Sequence, residues 1–223
     1  MLLLSIDTCG STGTVALARL DNDRLTLLAQ SELAGKTYSA RLVPAIRELL
    51  ASAPFVAADP GAIIVTNGPG SFTGIRIGLS TAKGLAEPTS IPILAVSRLA
   101  VLANHAKTRA AALDASRGEF YFGDFSGPTP VEKLLTRDPF REPAAALGPQ
   151  LAVCEPTLLL VAPTAALVPP PTAADALHFA LFRIQARDFD DPLLLDGNYL
   201  RRSDAEIFSG PNAPPRPKPA PRS

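Results

Sequence analysis

The sequence has few of the residues that mark several common functional classes. Its 223 residues include no Trp, 1 Met, 2 Cys and 2 His, and 6% are aromatic. Neither His105 nor His178 has a second His or Cys three to five residues away, so we predict no dedicated metal site. Cys9 and Cys154 stand alone, which is typical of small buried residues in a reducing compartment. We therefore expect a cytoplasmic protein without a disulfide framework.

Long apolar runs and an excess of charge are also absent. The mean hydropathy is +0.18, and no run approaches the roughly 20 apolar residues that span a bilayer. Leu2 to Leu4 are followed by Ser5 and Asp7 without a basic start or a cleavage site, which predicts a strand and not a signal peptide. The 21 basic and 21 acidic residues cancel, a poor basis for gripping nucleic acid alone. We expect no membrane association.

The most informative stretch is NGPGSFTGIRIG at residues 67–78, which follows a β-branched strand pattern and opens a helix pattern. Gly68 and Gly70 permit a tight turn, and Ser71 or Thr73 can cap the helix. A helix N-terminus behind glycines can bind phosphate, but the lysine of a Walker motif is missing and the glycine spacing differs from a dinucleotide fingerprint. A tight turn is the favoured interpretation, and GPGSF is not the elbow of a serine hydrolase.

Small residues recur at every fourth position of this helix. Gly74, Gly78 and Ala82 would leave one helix face nearly without side chains. Such a face predicts that another helix packs very closely on it, in the same chain or in another one.

A pattern near the N-terminus occurs again about a hundred residues later. An apolar strand ends in Asp7 and a small residue, and a turn and an alternating strand follow; the same order recurs around Asp114. This repeat predicts two related α/β lobes. The aspartates could hold Mg²⁺ or close the hairpins by hydrogen bonds, and spacing favours the second. We predict lobes at 1–106 and 107–208, the second reduced, and a Pro-rich disordered tail at 209–223.

Several stretches together carry a family resemblance. They are LLLSIDTCGSTGTVAL, SARLVPAIRELL, NGPGSFTGIRIGLSTAKGLA, IPILAVSRLAVLA, LDASRGEFYFGDF and NYLR. With them the chain resembles the TsaB (YeaZ) family, nearly without gaps over residues 1–126. The resemblance implies an α/β fold of the two-lobed ASKHA type (actin-like ATPase, ribonuclease H-like). One departure is Tyr38, where the family usually has histidine, and this puts a role of that histidine in doubt here.

The resemblance implies a non-catalytic subunit. Its partners would be a TsaD-like catalytic subunit and a TsaE-like ATPase, in threonylcarbamoyl transfer to N6 of adenosine 37 of tRNAs that read codons beginning with A. It would meet tRNA only through the complex. Helices at 39–52 and 72–86 would bind the partner, and the same face would form a homodimer. The implied interface residues are Leu42, Ile46, Phe72, Thr73, Gly74, Ile77, Gly78, Thr81 and Ala82.

An enzyme is the alternative. Members of the ASKHA superfamily bind ATP between their lobes, and a kinase-like or peptidase-like protein would use Asp7, Thr8 and Asp114 with ATP and Mg²⁺. Our prediction is that these three residues form at most a vestigial nucleotide site, with no cofactor required and no catalytic residue.

Overall fold

The computed structural model describes residues 1–35, 37–52 and 60–201 of the chain. Within these residues, ten strands form two five-stranded sheets. Sheet 1 contains β1 (Leu2–Asp7), β2 (Thr12–Asp21), β3 (Arg24–Ala34), β4 (Ala62–Thr66) and β5 (Ile93–Val96). Sheet 2 contains β6 (Ala110–Asp114), β7 (Glu119–Asp124), β8 (Val131–Thr136), β9 (Leu151–Val153) and β10 (Ala166–Leu167). The five α-helices are α1 (Tyr38–Ser52), α2 (Phe72–Ala86), α3 (Arg98–Ala106), α4 (Arg137–Leu147) and α5 (Ala173–Gln185).

The two sheets have the same topology. Their strand orders are β3-β2-β1-β4-β5 and β8-β7-β6-β9-β10 when both are read from the third strand of the unit. In each sheet the first three strands are antiparallel, and the last two are parallel to the first. The predicted internal repeat and the predicted two-lobed α/β fold are therefore confirmed.

The second unit is the smaller one. A 3-10 helix (Pro156–Leu160) stands where sheet 1 has α2, and β10 has 2 residues against 4 in β5. This agrees with the predicted reduction of the second lobe.

Helices α1 and α2 lie side by side on one face of sheet 1. Apolar side chains from both helices meet Leu4, Ile6, Ile63 and Val65 in one buried cluster. On the outer face of sheet 2, Phe140 of α4 is fully buried against Phe120, with ring centroids 4.6 Å apart. Burial of side chains of this size contributes about 1.5–3 kcal/mol each, so both outer layers are firmly attached.

Each of the two helices between the sheets packs on the sheet of the other half of the chain. Helix α5 follows sheet 2 in the chain, but its residues Ala173, Ala176, Leu177, Ala180 and Ile184 pack on sheet 1. Helix α3 follows sheet 1, and its residues Leu99, Leu102 and Ala103 pack on sheet 2. These contacts cross the boundary predicted at residue 106, and each sheet depends on a helix from the other half of the chain.

The segment at 190–201 runs from sheet 1 across α2 to sheet 2. The ammonium of Lys83 in α2 donates to the carbonyl of Leu195 over 2.7 Å. The ring of Tyr199 lies 4.9 Å from the ring of Phe72. Arg201 then pairs with Glu119 of β7. The segment therefore joins the two halves at one edge.

The elements at 127–172 were not predicted from the sequence. Pro139 and Pro143 both lie in α4, and proline inside a helix normally argues against one. The apolar run at 158–162 is only partly interior, since Leu158 is buried and Leu160 is 82% exposed. The Pro-rich tail at 209–223 lies outside the described residues. No helix in the described part of the chain is long and apolar enough to cross a bilayer.

Candidate functional site

An open cleft of about 1610 Å³ lies where the two first strands end. The first hairpin, formed by β1 and β2, contributes Gly10 and Ser11. The second hairpin, formed by β6 and β7, contributes Ser116 and Arg117. Arg98, the first residue of α3, lies on its wall. The repeat thus brings both hairpins to one cavity, as the position of the aspartates predicts.

Asp7 lies beside this cleft but is almost fully buried, with 3% of its surface exposed. One carboxylate oxygen, Oδ1, accepts a hydrogen bond from the Cys9 N–H over 2.8 Å. The other, Oδ2, lies 3.6 Å from Nε of Arg98. Burying a carboxylate in this way requires an opposite charge, and Arg98 provides it.

Arg98 is 7% exposed, and its buried Nε has no hydrogen-bond partner among the residues that the structure describes. Burial lowers the pKa of Arg98, but its acidic neighbours Asp7, Cys9, Cys154 and Glu155, of which Asp7 acts most strongly, together raise that pKa above its ordinary value. The guanidinium passes close to Gly10, where a Cβ would lie 2.5 Å from Nη2. A side chain at position 10 would therefore displace the ion pair.

Thr8 faces the interior and not the cleft. Its hydroxyl donates to the carbonyl of Gly74 over 2.7 Å, so it fastens the end of β1 to α2. Tyr38, the first residue of α1, makes a similar link, because its hydroxyl donates to the Gly10 carbonyl over 2.8 Å. These two side chains stabilise the first hairpin.

Asp114 ends β6 and is exposed to the cleft. Its Oδ1 accepts the N–H of Ser116 over 2.7 Å, the same turn that Asp7 makes with Cys9. The neighbouring strand β9 ends at Val153, and Glu155 follows two residues later. The pKa of Glu155 is raised because burial disfavours the charged carboxylate. Burial also raises the pKa of Cys154 to about 12, so this thiol is not a nucleophile near neutral pH.

These residues do not fit the Mg²⁺–ATP that the fold class implies. Asp7 is already bound by an arginine, and the Thr8 hydroxyl is used inside the molecule. Within the described ranges, no group of three or more His, Cys, Asp or Glu side chains could hold a metal ion. Of the three residues predicted for a vestigial site, Asp114 alone lines the cleft.

The residues predicted for a partner interface divide between the interior and the surface. Leu42, Ile46 and Ala82 are at most 2% exposed. Gly74 and Gly78 are buried as well: a Cβ at Gly74 would lie 1.9 Å from the Thr8 carbonyl oxygen, and one at Gly78 would lie 2.5 Å from the Thr8 hydroxyl. The glycine face therefore gives clearance to the end of the chain's own β1, which corrects its assignment to a partner helix.

Four of the predicted residues do reach the surface. They are Phe72, Thr73, Ile77 and Thr81. Arg76 is exposed beside them, with its guanidinium 4.0 Å from the centre of the Phe72 ring. On α1, Val43 is 47% exposed. We call these six residues the α1–α2 face.

Sequence reasoning missed Arg98. The residue before it, Ser97, caps α3, because its hydroxyl accepts the N–H of Ala100. A cation in the first turn of a helix opposes the helix dipole. Arg98 directly after a cap was the signal that a carboxylate lies nearby.

Comparisons with known proteins agree with this architecture. The family model described as TsaD, tRNA N6-adenosine threonylcarbamoyltransferase, matches residues 29–151, more than half of the chain. The chain is 36% identical over 131 residues to the Escherichia coli protein named tRNA threonylcarbamoyladenosine biosynthesis protein TsaB, covering 56% of this chain and 55% of that protein. For the Bacillus subtilis protein of the same name, the values are 39% over 128 residues, 55% and 54%. The chain thus spans about half the length of these relatives.

A solved structure of YeaZ from Pseudomonas aeruginosa superposes with a TM-score of 0.73 at 28% identity, covering 89% of this chain and 99% of that one. Two sheets of one topology, with an aspartate ending each first strand beside a common cleft, define an ASKHA, ribonuclease H-like protein. Within that class, the chain belongs to the TsaB (YeaZ) family.

Proposed function

We propose that this chain is a non-catalytic subunit in the synthesis of threonylcarbamoyladenosine on tRNA. It works beside a TsaD-like catalytic subunit, with a TsaE-like ATPase, in the transfer of threonylcarbamoyl to N6 of adenosine 37. The names of the Escherichia coli and Bacillus subtilis relatives support the pathway. The ion pair of Asp7 with Arg98 supports a non-catalytic role, because a paired and buried aspartate is a poor base or metal ligand.

The observation that carries the proposal is the α1–α2 face. Two helices lie side by side there, and Val43, Phe72 and Ile77 expose part of their apolar surface. Arg76 over the Phe72 ring places a cation within the patch. Aromatic and arginine side chains dominate many protein interfaces, so this composition suits a protein partner.

The partner helices would contact outward side chains and not the glycine face. Phe72 is held between Arg76 and Tyr199, which fixes its position before binding. A side chain that is already ordered loses less conformational freedom on association. The surface is therefore partly preorganised for docking.

The same face would also form the homodimer. Since one surface cannot hold two partners at once, the homodimer and the heterodimer compete, and concentration and affinity select between them. The tRNA would be contacted through the complex, because the chain as a whole carries no net charge.

A matched pair of substitutions tests the docking face. Val43 on α1 is 47% exposed and Val131 on β8 is 51% exposed, so Val43→Glu and Val131→Glu make the same change on the two halves. Binding to the TsaD-like protein of the same genome would be measured by calorimetry. We expect Val43→Glu to weaken binding by at least about tenfold, because a charge enters an apolar contact, and Val131→Glu to leave it unchanged.

Two results would contradict the proposal. One is equal affinity of both variants for the TsaD-like protein. The other is failure of the wild-type gene to restore the modified nucleoside in a strain that lacks the TsaB function. Thermal melting of both variants controls for folding.

A further inference from the structure

Asp7 and Arg98 form a buried ion pair, and this pair is independent of the proposed partner. The two side chains are 3% and 7% exposed, and Oδ2 of Asp7 lies 3.6 Å from Nε of Arg98. In a site for a divalent cation, a carboxylate oxygen faces the ion or its water molecules. Here that oxygen faces a guanidinium that belongs to the chain itself.

The surrounding backbone is built for this guanidinium. Gly10 leaves room for it, since a Cβ there would lie 2.5 Å from Nη2. Ser97 caps α3 and thereby places Arg98 at the first helical residue, directed toward the end of β1. At that position the helix dipole disfavours a cation, so the Asp7 carboxylate is what holds the side chain there.

We propose that Arg98 is a tethered counter-ion that takes the place of a divalent cation at Asp7 and closes the cleft to metal-bound nucleotides. A metal ion could reach Asp7 only by breaking the ion pair. The guanidinium would then be left in a buried position without its compensating charge. The other carboxylates at the cleft, Asp114 and Glu155, belong to the second half of the site.

The proposal predicts that removal of Arg98 opens the site. Arg98→Met keeps an unbranched apolar side chain and removes the charge. Mn²⁺ with ATP is the probe, and free Mn²⁺ is followed by its electron paramagnetic resonance signal. We expect no saturable binding of Mn²⁺ with ATP to the wild-type protein. In Arg98→Met we expect saturable binding, with an affinity at least about tenfold above the limit set by the wild type, because an unpaired carboxylate attracts the ion.

Two control variants separate this mechanism from general electrostatics. Arg117→Ala removes another arginine of the cleft without touching Asp7, and it should bind Mn²⁺ and ATP no better than the wild type. The double variant Asp7→Asn with Arg98→Met removes both charges, and it should lose the gain.

Folding of each variant is checked by circular dichroism and thermal melting. A folded Arg98→Met variant without increased affinity overturns the proposal, and so does an equal gain in Arg117→Ala. If Arg98→Met does not fold, the wild type and the double variant decide. Equally weak binding of Mn²⁺ and ATP to these two proteins supports the proposal. The proposal is contradicted if the wild type binds Mn²⁺ and ATP one to one and the double variant does not.

Discussion

The two halves of the molecule make the same turn in opposite surroundings. Asp7 accepts the N–H of Cys9 over 2.8 Å, and Asp114 accepts the N–H of Ser116 over 2.7 Å. Asp7 is buried and faces Arg98, whereas Asp114 is exposed to the cleft. The repeated sequence thus specifies the backbone turn in both places. Whether the aspartate is paired with a cation depends on α3, an element outside the hairpin.

The largest expected effect follows from this contrast. Asp7→Asn keeps an oxygen that can accept the Cys9 N–H, but it leaves Arg98 buried and unpaired. Breaking a buried pair costs about 3–5 kcal/mol, whereas an exposed change such as Asp114→Asn stays within about 0.5 kcal/mol. Urea unfolding measures both. Similar losses in the two variants would show that the Asp7–Arg98 pair is not a buried ion pair in solution.

The second contrast concerns α2, for which the second half has only a 3-10 helix. Gly74 packs on the Thr8 carbonyl at a distance that excludes a Cβ, whereas no atom of the residues described lies within 4 Å of a Cβ at Gly84. Both glycines are in the same helix, so they form a matched pair. We expect Gly74→Ala to destabilise the protein by about 1–3 kcal/mol and Gly84→Ala to stabilise it by up to about 1 kcal/mol. A neutral Gly74→Ala would mean that α2 can move away from β1.

The sequence predicts the first half of the fold well, because its signals are local. The helices expected at 39–52 and 72–86 are observed as Tyr38–Ser52 and Phe72–Ala86. At the start of α5, Thr172 and Asp175 form a capping box, a pattern of residues three positions apart. Each of these features is set by residues within a few positions of one another.

The remainder depends on contacts between distant parts of the chain. Helices α3 and α5, each packed on the sheet of the other half of the chain, also meet each other, and His105 lies 2.8 Å from Asp175, which is 70 residues further along the chain. Likewise, the repeat of small residues in α2 predicted close packing, but the packing partner was β1 and not another helix. The same limit applies to the site: the position of Arg98 directly after a cap indicates a nearby carboxylate, but no local pattern identifies Asp7, on a distant strand, as that carboxylate.

The smallest expected effect concerns the strands next to the two aspartates. Continuing the parallel pairing by register places Thr66 beside Asp7 and Glu155 beside Asp114. Each of these residues has a buried oxygen without a hydrogen-bond partner in the described part of the chain, but only Glu155 titrates. Burial raises the pKa of Glu155, so the folded protein holds this proton more tightly than the unfolded chain does. Its contribution to stability is therefore complete below the ordinary carboxyl pKa and is lost as the pH rises through the raised value.

Glu155→Gln should remove this loss, because glutamine keeps the shape of the protonated carboxyl. The free energy of unfolding of the wild type, relative to that of the variant, should fall with rising pH by less than about 1.4 kcal/mol per pH unit. Urea unfolding at a series of pH values measures the difference. Asp124 in the same sheet provides a control of opposite sign, since hydrogen bonds from the Ser126 side chain and backbone lower the pKa of Asp124. The contribution of Asp124 to stability is lost as the pH falls, so Asp124→Asn should flatten the pH dependence of the free energy of unfolding on the acid side only. A pH-independent difference between the wild type and Glu155→Gln would mean that solvent reaches the Glu155 carboxylate, as it reaches that of Asp114.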